Sequence, residues 1–589
     1  MKWTRPLTAQ ANATDHGSPQ KTDAGKVIEL EKYFIEDSPY DSVRAALRNT
    51  DNEEEVANTF RAWVLGFLFV TVASGINMFL YMRSPAITIA TVVIILLVHP
   101  IGVSWAKVMP TRKFNTFGLV WSLHPGPFTM KEHAVVTLMA NVTYGYAYST
   151  DELLALDAKP LYNIRLGWGF QLLFTLSSQI IAALIWPADF SITTLLCALH
   201  DKSRTDPAKA NGWSISRYRF FVYVALGSFA WYWFPGVIWQ SLSVFSFVTW
   251  IRPNDVVLNQ LFGGFTGLSL VPLTFDWIYV SAYLNDPLFS PTFSHLNTLI
   301  GLGIFVIIST TGISYSEKYK SYPPLFLAPT FVLSYGLSFA ALTAAIVHTV
   351  IYHGKEAWFK AKYRESPDWW YGVLFVISVA LGLATVLGYS SQLLWWGYFV
   401  SIIIALVFTI PCCMALGITN IQLSLNVISP FLAGFMIPGK PIGVMIFRVF
   451  STVVLGQAQT YTTDLNSPVP SAEPSSLPPS SRVSSAPTAC SAPATPLSFS
   501  SWAIVGVIFN WWIKKRYRGW WFNYNYIFAA AVDCGLVVLA VVIFLAFTLS
   551  GSSGPSWWGH VGVFETMDAL GTAVRKTVVD GETLGPQTW

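Results

Sequence analysis

The segment His124–His133, which reads HPGPFTMKEH, gathers the groups that a site for a small charged molecule would need. Three of its residues prevent a continuous helix, namely Pro125, Gly126 and Pro127. A helix that starts after this break offers free N–H groups and a positive dipole end to a substrate carboxylate. Its first turn then carries a cation, a carboxylate and an imidazole, which are Lys131, Glu132 and His133. This pattern predicts proton-coupled binding of a zwitterion.

The same segment has a simpler interpretation, in which its polar groups only cap a helix at the membrane surface. The apolar stretch that follows, 134–148, adds two polar candidates for substrate contact, Asn141 and Tyr144. Polar groups inside apolar helices are costly in lipid and therefore often functional. Residue chemistry alone favours neither interpretation over the other.

A second constellation lies between Trp250 and Asp276. Its candidate substrate or proton-coupling residues are Arg252, Asn254 and Asp276. Glycines at 263, 264 and 267 within an apolar window predict a discontinuous span, because unwound backbone can contact substrate or ions. Two alternatives remain open. The glycines can serve close helix packing, and Asp276 can pair with Arg252 or reach the interface.

A third group of amides follows near residue 420. Its candidates are Asn420, Gln422 and Asn426. Gln422 and Asn426 are four residues apart, so on a helix they would share one face. Hydrogen bonding between helices is the simpler explanation, worth about 1 kcal/mol or less per bond.

The sequence contains no spacing typical of an enzyme, a nucleotide site or a metal site. Its five cysteines lie mostly in apolar surroundings without paired spacing, and we expect them to be packing residues. We therefore predict a protein that is not an enzyme and that needs no metal or other cofactor.

Long apolar segments must position these groups. Of the 589 residues, 53% are hydrophobic and only 12% are charged, against about 25% charged in soluble domains. We predict an all-α, polytopic membrane bundle of about 12 to 14 spans, with re-entrant or broken helices. The spans include 62–82, 86–106, 256–275 and three crossings between 368 and 440. The 36 basic and 32 acidic residues give a net charge of only +4, which gives no support for nucleic-acid binding.

The chain divides into four predicted regions. Residues 1–60 form a polar arm, 61–465 a transmembrane core, and 501–589 further spans and a tail. Residues 466–500 are rich in Ser and Pro, which prevents helix and sheet, so this segment cannot lie exposed in lipid.

Several blocks resemble the eukaryotic oligopeptide transporter family, specifically its peptide-transporting branch. HPGPFTMKEH is similar to the family signature Asn-Pro-Gly-Pro-Phe-Asn-x-Lys-Glu-His, although position 124 is His instead of Asn. Further similar blocks are SPYDSVRAALRNTDNEEEVANTFRAWVLG (38–66), TNIQLSLNVISPFLAGFMIPGKPI (419–442), RYRGWWFNYNYIFAAAVDCG (516–535) and the C-terminal MDALGTAVRKTVVDGETLGPQTW. The similarity covers roughly residues 30–465 and 495–589.

The resemblance implies proton symport of peptides of about three to five residues, or of glutathione, at the plasma membrane or an internal membrane. It also implies about 16 spans and a role for the matching residues at 125–127 and 131–133. Transport of metal–peptide or metal-chelate conjugates is an alternative. Small peptides and lipid are the implied partners, and the sequence makes no prediction of oligomeric state.

The sequence departs from the family at 466–500. There, a Lys-Ile-Pro-Pro-Arg motif and several spans of the family are missing. We interpret this as a deletion or a mis-assigned exon. The competing hypothesis is therefore a transport-deficient relative that binds peptides or partners without moving them.

Overall fold

The computed structural model describes residues 55–81, 91–116, 119–144, 147, 149–157, 162–183, 215–270, 273–281, 286–307, 329–348, 351, 368–419, 422–465, 496–548, 550–551, 554–570 and 572. Residues 466–495 of the predicted Ser/Pro-rich segment and nearly all of the predicted polar arm lie outside these residues. The last five residues of that segment, 496–500, begin a helix (Pro496–Val507), so the expectation that Ser and Pro prevent a helix is wrong there. Within the described ranges the chain is almost entirely helical, which agrees with the predicted all-α class.

The first half of the chain contains long helices, several short ones and a hairpin. These elements are α1 (Phe60–Tyr81), α2 (Thr91–Val108), β1 (Lys113–Thr116), β2 (Leu119–Ser122), α3 (Met130–Tyr144), α4 (Ser149–Asp157), α5 (Trp168–Ala183), α6 (Arg217–Trp233), α7 (Phe247–Ile251), α8 (Val256–Phe262), α9 (Trp277–Ser281) and α10 (Thr292–Ile307). The antiparallel strands pair Lys113 with Ser122 and Thr116 with Leu119. This hairpin leads directly into the loop before α3.

The second half is again helical. Its elements are α11 (Pro329–His348), α12 (Asp368–Gly388), α13 (Trp395–Thr419), α14 (Ile428–Met436), α15 (Pro441–Leu465), α16 (Pro496–Val507) and α17 (Arg518–Ile543). Stretches of π-helix extend α6, α16 and α17 to Ile238, Ile513 and Thr548. Such π segments often lie at functional positions in membrane and soluble helices.

Five helices in the described part are long and apolar enough to cross a membrane, so the chain is a multi-pass membrane protein. They cover Phe60–Phe79, Thr91–Val108, Arg217–Ile238, Trp395–Leu416 and Arg518–Phe547. The expectation of three crossings between 368 and 440 is wrong. Two long helices, α12 and α13, are followed by α14, whose nine residues span only about 14 Å.

Two groups of helices form the interior. In one, α5, α12, α13, α14 and α15 enclose Phe170, Tyr398 and Phe450. In the other, α2, α6 and α17 meet the start of α3 around Ile95, Phe220 and Tyr524. The second group packs against Met130 at the start of α3, and its helix α17 also contacts Trp277 at the start of α9.

Candidate functional site

The loop before α3 breaks the chain as predicted, and the helix begins at Met130. Gly126 has a φ of 146°, in the region that favours glycine. Thr129 and Glu132 form a reciprocal cap at this start. The Thr129 hydroxyl accepts from the Glu132 N–H at 3.2 Å, and the Glu132 carboxylate accepts from the Thr129 N–H at 3.1 Å. This is a capping box, the arrangement that the simpler interpretation of the sequence anticipates.

Arg61 of α1 binds the same carboxylate, a contact that no local sequence feature predicts. Its guanidinium forms an ion pair with Glu132, and both side chains are almost wholly buried, at 0% and 1% exposure. Arg61 also donates to the carbonyl oxygens of Gly126 at 3.2 Å and Pro127 at 3.1 Å. The hydroxyl of Thr59 donates to the other Glu132 oxygen. We call this group, made of Arg61, Thr59, Glu132 and the two loop carbonyls, the Arg61 clamp.

The other charged groups of the segment point in different directions. His133 is fully buried, and its Nε2 donates to the carbonyl oxygen of Ile95 on α2 at 3.0 Å. Its ring contacts those of Phe128 and His99, with centroids 5.3 and 5.9 Å away. Lys131 is half-buried. The three side chains predicted to act together within one turn therefore face different partners. Glu132 contacts α1, His133 contacts α2, and Lys131 lies half-buried.

Asn141 and Tyr144 lie in the last turn of α3. Their side chains lie outside the described part of the structure. Their proposed contact with substrate stays a prediction.

The stretch predicted as a span at 256–275 is discontinuous, as the glycines indicated. Helix α8 has only seven residues and ends at Phe262. Asp255 caps its start by accepting from the N–H groups of Val257 and Leu258 at 3.0 and 3.2 Å. Arg252 and Asn254 lie exposed just before that cap. The backbone between α8 and α9 is irregular and, inside a membrane bundle, must find partners within the protein.

Asp276 lies at the end of this irregular stretch, with only 3% of its surface exposed. Its carboxylate accepts from the Ser243 hydroxyl at 2.8 Å and from the Ile278 N–H at 2.9 Å. The side chain thus caps the first turn of α9. Its partners do not include Arg252, so the alternative in which the two residues pair is wrong. Asp276 is therefore a buried carboxyl whose two hydrogen-bond donors are neutral groups.

The C-terminal segment supplies a residue that sequence reasoning missed, Asp568. Its carboxylate is 1% exposed and accepts from the N–H groups of Phe265, Thr266 and Gly267, at 2.9, 2.8 and 3.3 Å. The Thr266 hydroxyl donates to it at 3.0 Å. These residues are about 300 positions apart in sequence. Only the fold brings them together.

A second break, at 286–291, precedes α10, and side chains from later helices satisfy its backbone. Asn510 donates to the carbonyl oxygens of Pro287 and Ser290 at 3.0 and 2.8 Å, and His295 Nε2 lies 3.1 Å from the same two oxygens. Asn525 of α17 donates to the Leu288 carbonyl at 3.3 Å. Amide and imidazole donors therefore replace the missing helical hydrogen bonds, as membrane depth requires.

Helix α17 links the two predicted constellations. Its residues Tyr524 and Ile527 share a buried cluster with Met130, at the start of α3. On the side of the breaks, Asp533 accepts from the Trp277 indole N–H at 2.7 Å. The starts of α3 and α9 therefore both contact one helix, which follows the Ser/Pro-rich segment in the sequence.

The third predicted group does not share a helix face. Asn420 lies outside the described residues. Gln422 is exposed in irregular backbone, and Asn426 lies in a turn, because α14 begins only at Ile428. The Ser424 hydroxyl accepts from the Asn426 N–H at 3.2 Å, a local bond that competes with helix formation. The prediction of a common helix face for Gln422 and Asn426 is wrong.

Three cysteines in the described part, Cys412, Cys413 and Cys534, are buried and belong to no disulfide, as expected of packing residues. Among the described residues, no three His, Cys, Asp or Glu side chains lie close enough to hold a metal ion.

Comparison with known proteins identifies relatives of this chain. The family model described as OPT oligopeptide transporter protein matches residues 57–466 and 478–547. Among curated proteins, the chain is 36% identical to the sexual differentiation process protein isp4 of Schizosaccharomyces pombe, over 73% of this chain and 63% of the relative. It is 34% identical to glutathione transporter 1 of the same organism, over 73% of this chain and 59% of the relative. It is 31% identical to oligopeptide transporter 1 of Saccharomyces cerevisiae, over 75% of this chain and 64% of the relative. The matches span less than two thirds of each relative.

Proposed function

Because the chain belongs to the OPT oligopeptide transporter family, we propose that it is a secondary transporter that imports short oligopeptides or glutathione-like peptides by proton symport. The substrate class follows the names of two relatives, a glutathione transporter and an oligopeptide transporter. Symport and the plasma membrane as its location follow the resemblance already described. In this proposal the protein moves its substrate without chemical change, so it is not an enzyme and its coupling ion is H⁺.

The observation that carries the proposal is the buried carboxyl of Asp276 between two broken helices. Both of its hydrogen bonds come from neutral groups, the Ser243 hydroxyl and the Ile278 N–H. A proton can therefore bind there without breaking an ion pair. Broken helices beside a buried acid are the usual architecture of ion and substrate sites in secondary transporters.

Glu132 and His133, the other predicted coupling residues, are held by structural contacts in this conformation. The Glu132 carboxylate forms an ion pair with Arg61. His133 already donates through Nε2 to a backbone carbonyl on α2. We propose that Glu132 holds the loop in place and that Asp276 is the principal coupling carboxyl.

Uptake by the purified full chain in proteoliposomes tests this proposal. Labelled glutathione and a labelled tetrapeptide are offered with and without an inward proton gradient. We expect the gradient to accelerate uptake, and Asp276→Asn to remove that acceleration. Asp255→Asn is the matched control, because Asp255 also caps a helix but is more exposed. Gradient-driven uptake that persists in Asp276→Asn would contradict the role of Asp276.

A second candidate function is peptide binding without transport. The family match is interrupted between 466 and 478, and the matched part covers less than two thirds of the relatives. Spans that are missing there would leave neighbouring helices without packing partners. Saturable peptide binding to the purified protein, with no accumulation in proteoliposomes, would favour this candidate over symport. If the substrates are metal–peptide conjugates, we expect uptake of the conjugate and none of the free peptide.

A further inference from the structure

The loop after α8 forms a cradle of three backbone N–H groups, those of Phe265, Thr266 and Gly267, which we call the amide cradle. All three donate to the carboxylate of Asp568. Successive N–H groups that converge on one point form an anion-binding concavity. The occupant is a carboxylate, so the structure itself shows which class of anion fits.

The local backbone explains why these three N–H groups converge. The N–H groups that follow are already used within the loop, since Leu268 donates to the Gln260 carbonyl at 2.8 Å and Ser269 to the Gly263 carbonyl at 3.2 Å. A side chain on Gly263 would collide with the Asp568 carboxylate. Ser269 has a φ of 48°, in the left-handed region, a costly conformation for a residue with a Cβ. The loop therefore has a strained backbone, and its three N–H groups that have no partner within the loop donate to the Asp568 carboxylate.

The occupant is attached through a segment that the bundle holds at several points. The Ser241 N–H donates to the Gly559 carbonyl at 3.0 Å, and the Trp557 indole donates to the Ile238 carbonyl at 2.6 Å. Every hydrogen bond of the Asp568 carboxylate comes from a neutral group. Thr266 is exposed, so the loop that forms the cradle lies at the surface of the described structure. Another carboxylate can take the place of Asp568 without separating an ion pair.

We propose that the amide cradle is a carboxylate-binding site of the transporter, which Asp568 fills as a tethered ligand and which the α-carboxylate of a peptide occupies in exchange. The identity of the incoming ligand rests on the proposed function. The capacity of the cradle for a free carboxylate does not. A tethered ligand competes with a free ligand at its own effective concentration, so removal of Asp568 strengthens binding of a free carboxylate.

Chemical rescue with acetate tests the site without any peptide. The purified full chains of the wild type, Asp568→Ala and Glu565→Ala are heated with increasing sodium acetate, with sodium chloride at equal ionic strength as reference. We expect a lower melting temperature in Asp568→Ala, which acetate raises in a saturable manner. Glu565→Ala is the control, because Glu565 lies exposed in the same segment. An acetate effect equal to that in the wild type and the control would overturn the proposal.

A second variant keeps the test decisive if Asp568→Ala fails to fold. Asp568→Asn retains the size of the side chain but removes its charge. Binding of one tetrapeptide is measured with a free C-terminus and with a C-terminal amide. We expect Asp568→Asn to bind the free acid more tightly than the wild type does, and the amide equally. The same preference for the free acid over the amide in the wild type and in Asp568→Asn would refute the site. If acetate rescues Asp568→Ala but the protein takes up no peptide, only the proposed transport is refuted.

Discussion

The Arg61 clamp leads to a quantitative prediction about Arg61→Met. The methionine retains most of the apolar length but removes a buried guanidinium that serves Glu132 and the carbonyls of Gly126 and Pro127. Loss of one partner of a buried ion pair leaves an uncompensated charge and costs about 3–5 kcal/mol. We expect a loss of that size in the free energy of unfolding.

The double variant Arg61→Met/Glu132→Leu separates the ion pair from packing. It removes both charges, and apolar replacement of a buried pair is often neutral or stabilising. We therefore expect the double variant to be more stable than Arg61→Met alone.

Unfolding by SDS titration, followed by tryptophan fluorescence, measures these differences in detergent. Arg165→Met is the matched control, because Arg165 is exposed, and we expect it to cost less than about 1 kcal/mol. A loss in Arg61→Met no larger than in this control would refute the clamp. Additive losses in the double variant would refute the ion pair as its cause.

Two further predictions concern Glu152 and Gly506. Burial raises the pKa of Glu152 above its ordinary 4.5, against the opposing charge of Arg448 3.7 Å away. The folded protein thus holds this proton more tightly than the unfolded chain, so the contribution of Glu152 to stability falls as the pH rises through 4.5 and on through the raised folded-state pKa. Melting curves across that range should show a smaller fall in Glu152→Gln, and an unchanged pH profile would contradict this. Gly506→Ala places a methyl group against the buried ring of His295 and should cost about 1–3 kcal/mol. Gly303→Ala, which meets open space, should cost nothing, and equal losses would contradict the contact.

The sequence predicted best those features that depend on local composition. Uncharged stretches of bilayer length located α1 and α2 within a few residues, because apolar length is the dominant constraint in lipid. Glycine density likewise located the break after α8. Proline and glycine before Met130 marked the start of α3.

Features that depend on distant partners could not be predicted. Arg61 was only a charged flank of the first span, since nothing local indicates that it reaches Glu132, 71 positions away. Asp568 stood in a polar tail with no sign of its partner loop. The prediction for Gln422 and Asn426 fails because the local bond from the Asn426 N–H to the Ser424 hydroxyl competes with helix formation, and α14 begins only at Ile428.

Simultaneous recording of peptide and proton entry in the same proteoliposomes is the most direct test of coupling through Asp276. A trapped pH-sensitive dye reports protons while labelled peptide is counted. We expect the wild type to acidify the vesicle interior only when peptide is added, and Asp276→Asn to bind peptide without proton entry. Peptide entry with no accompanying acidification, or unaltered acidification in Asp276→Asn, would contradict the proposed mechanism.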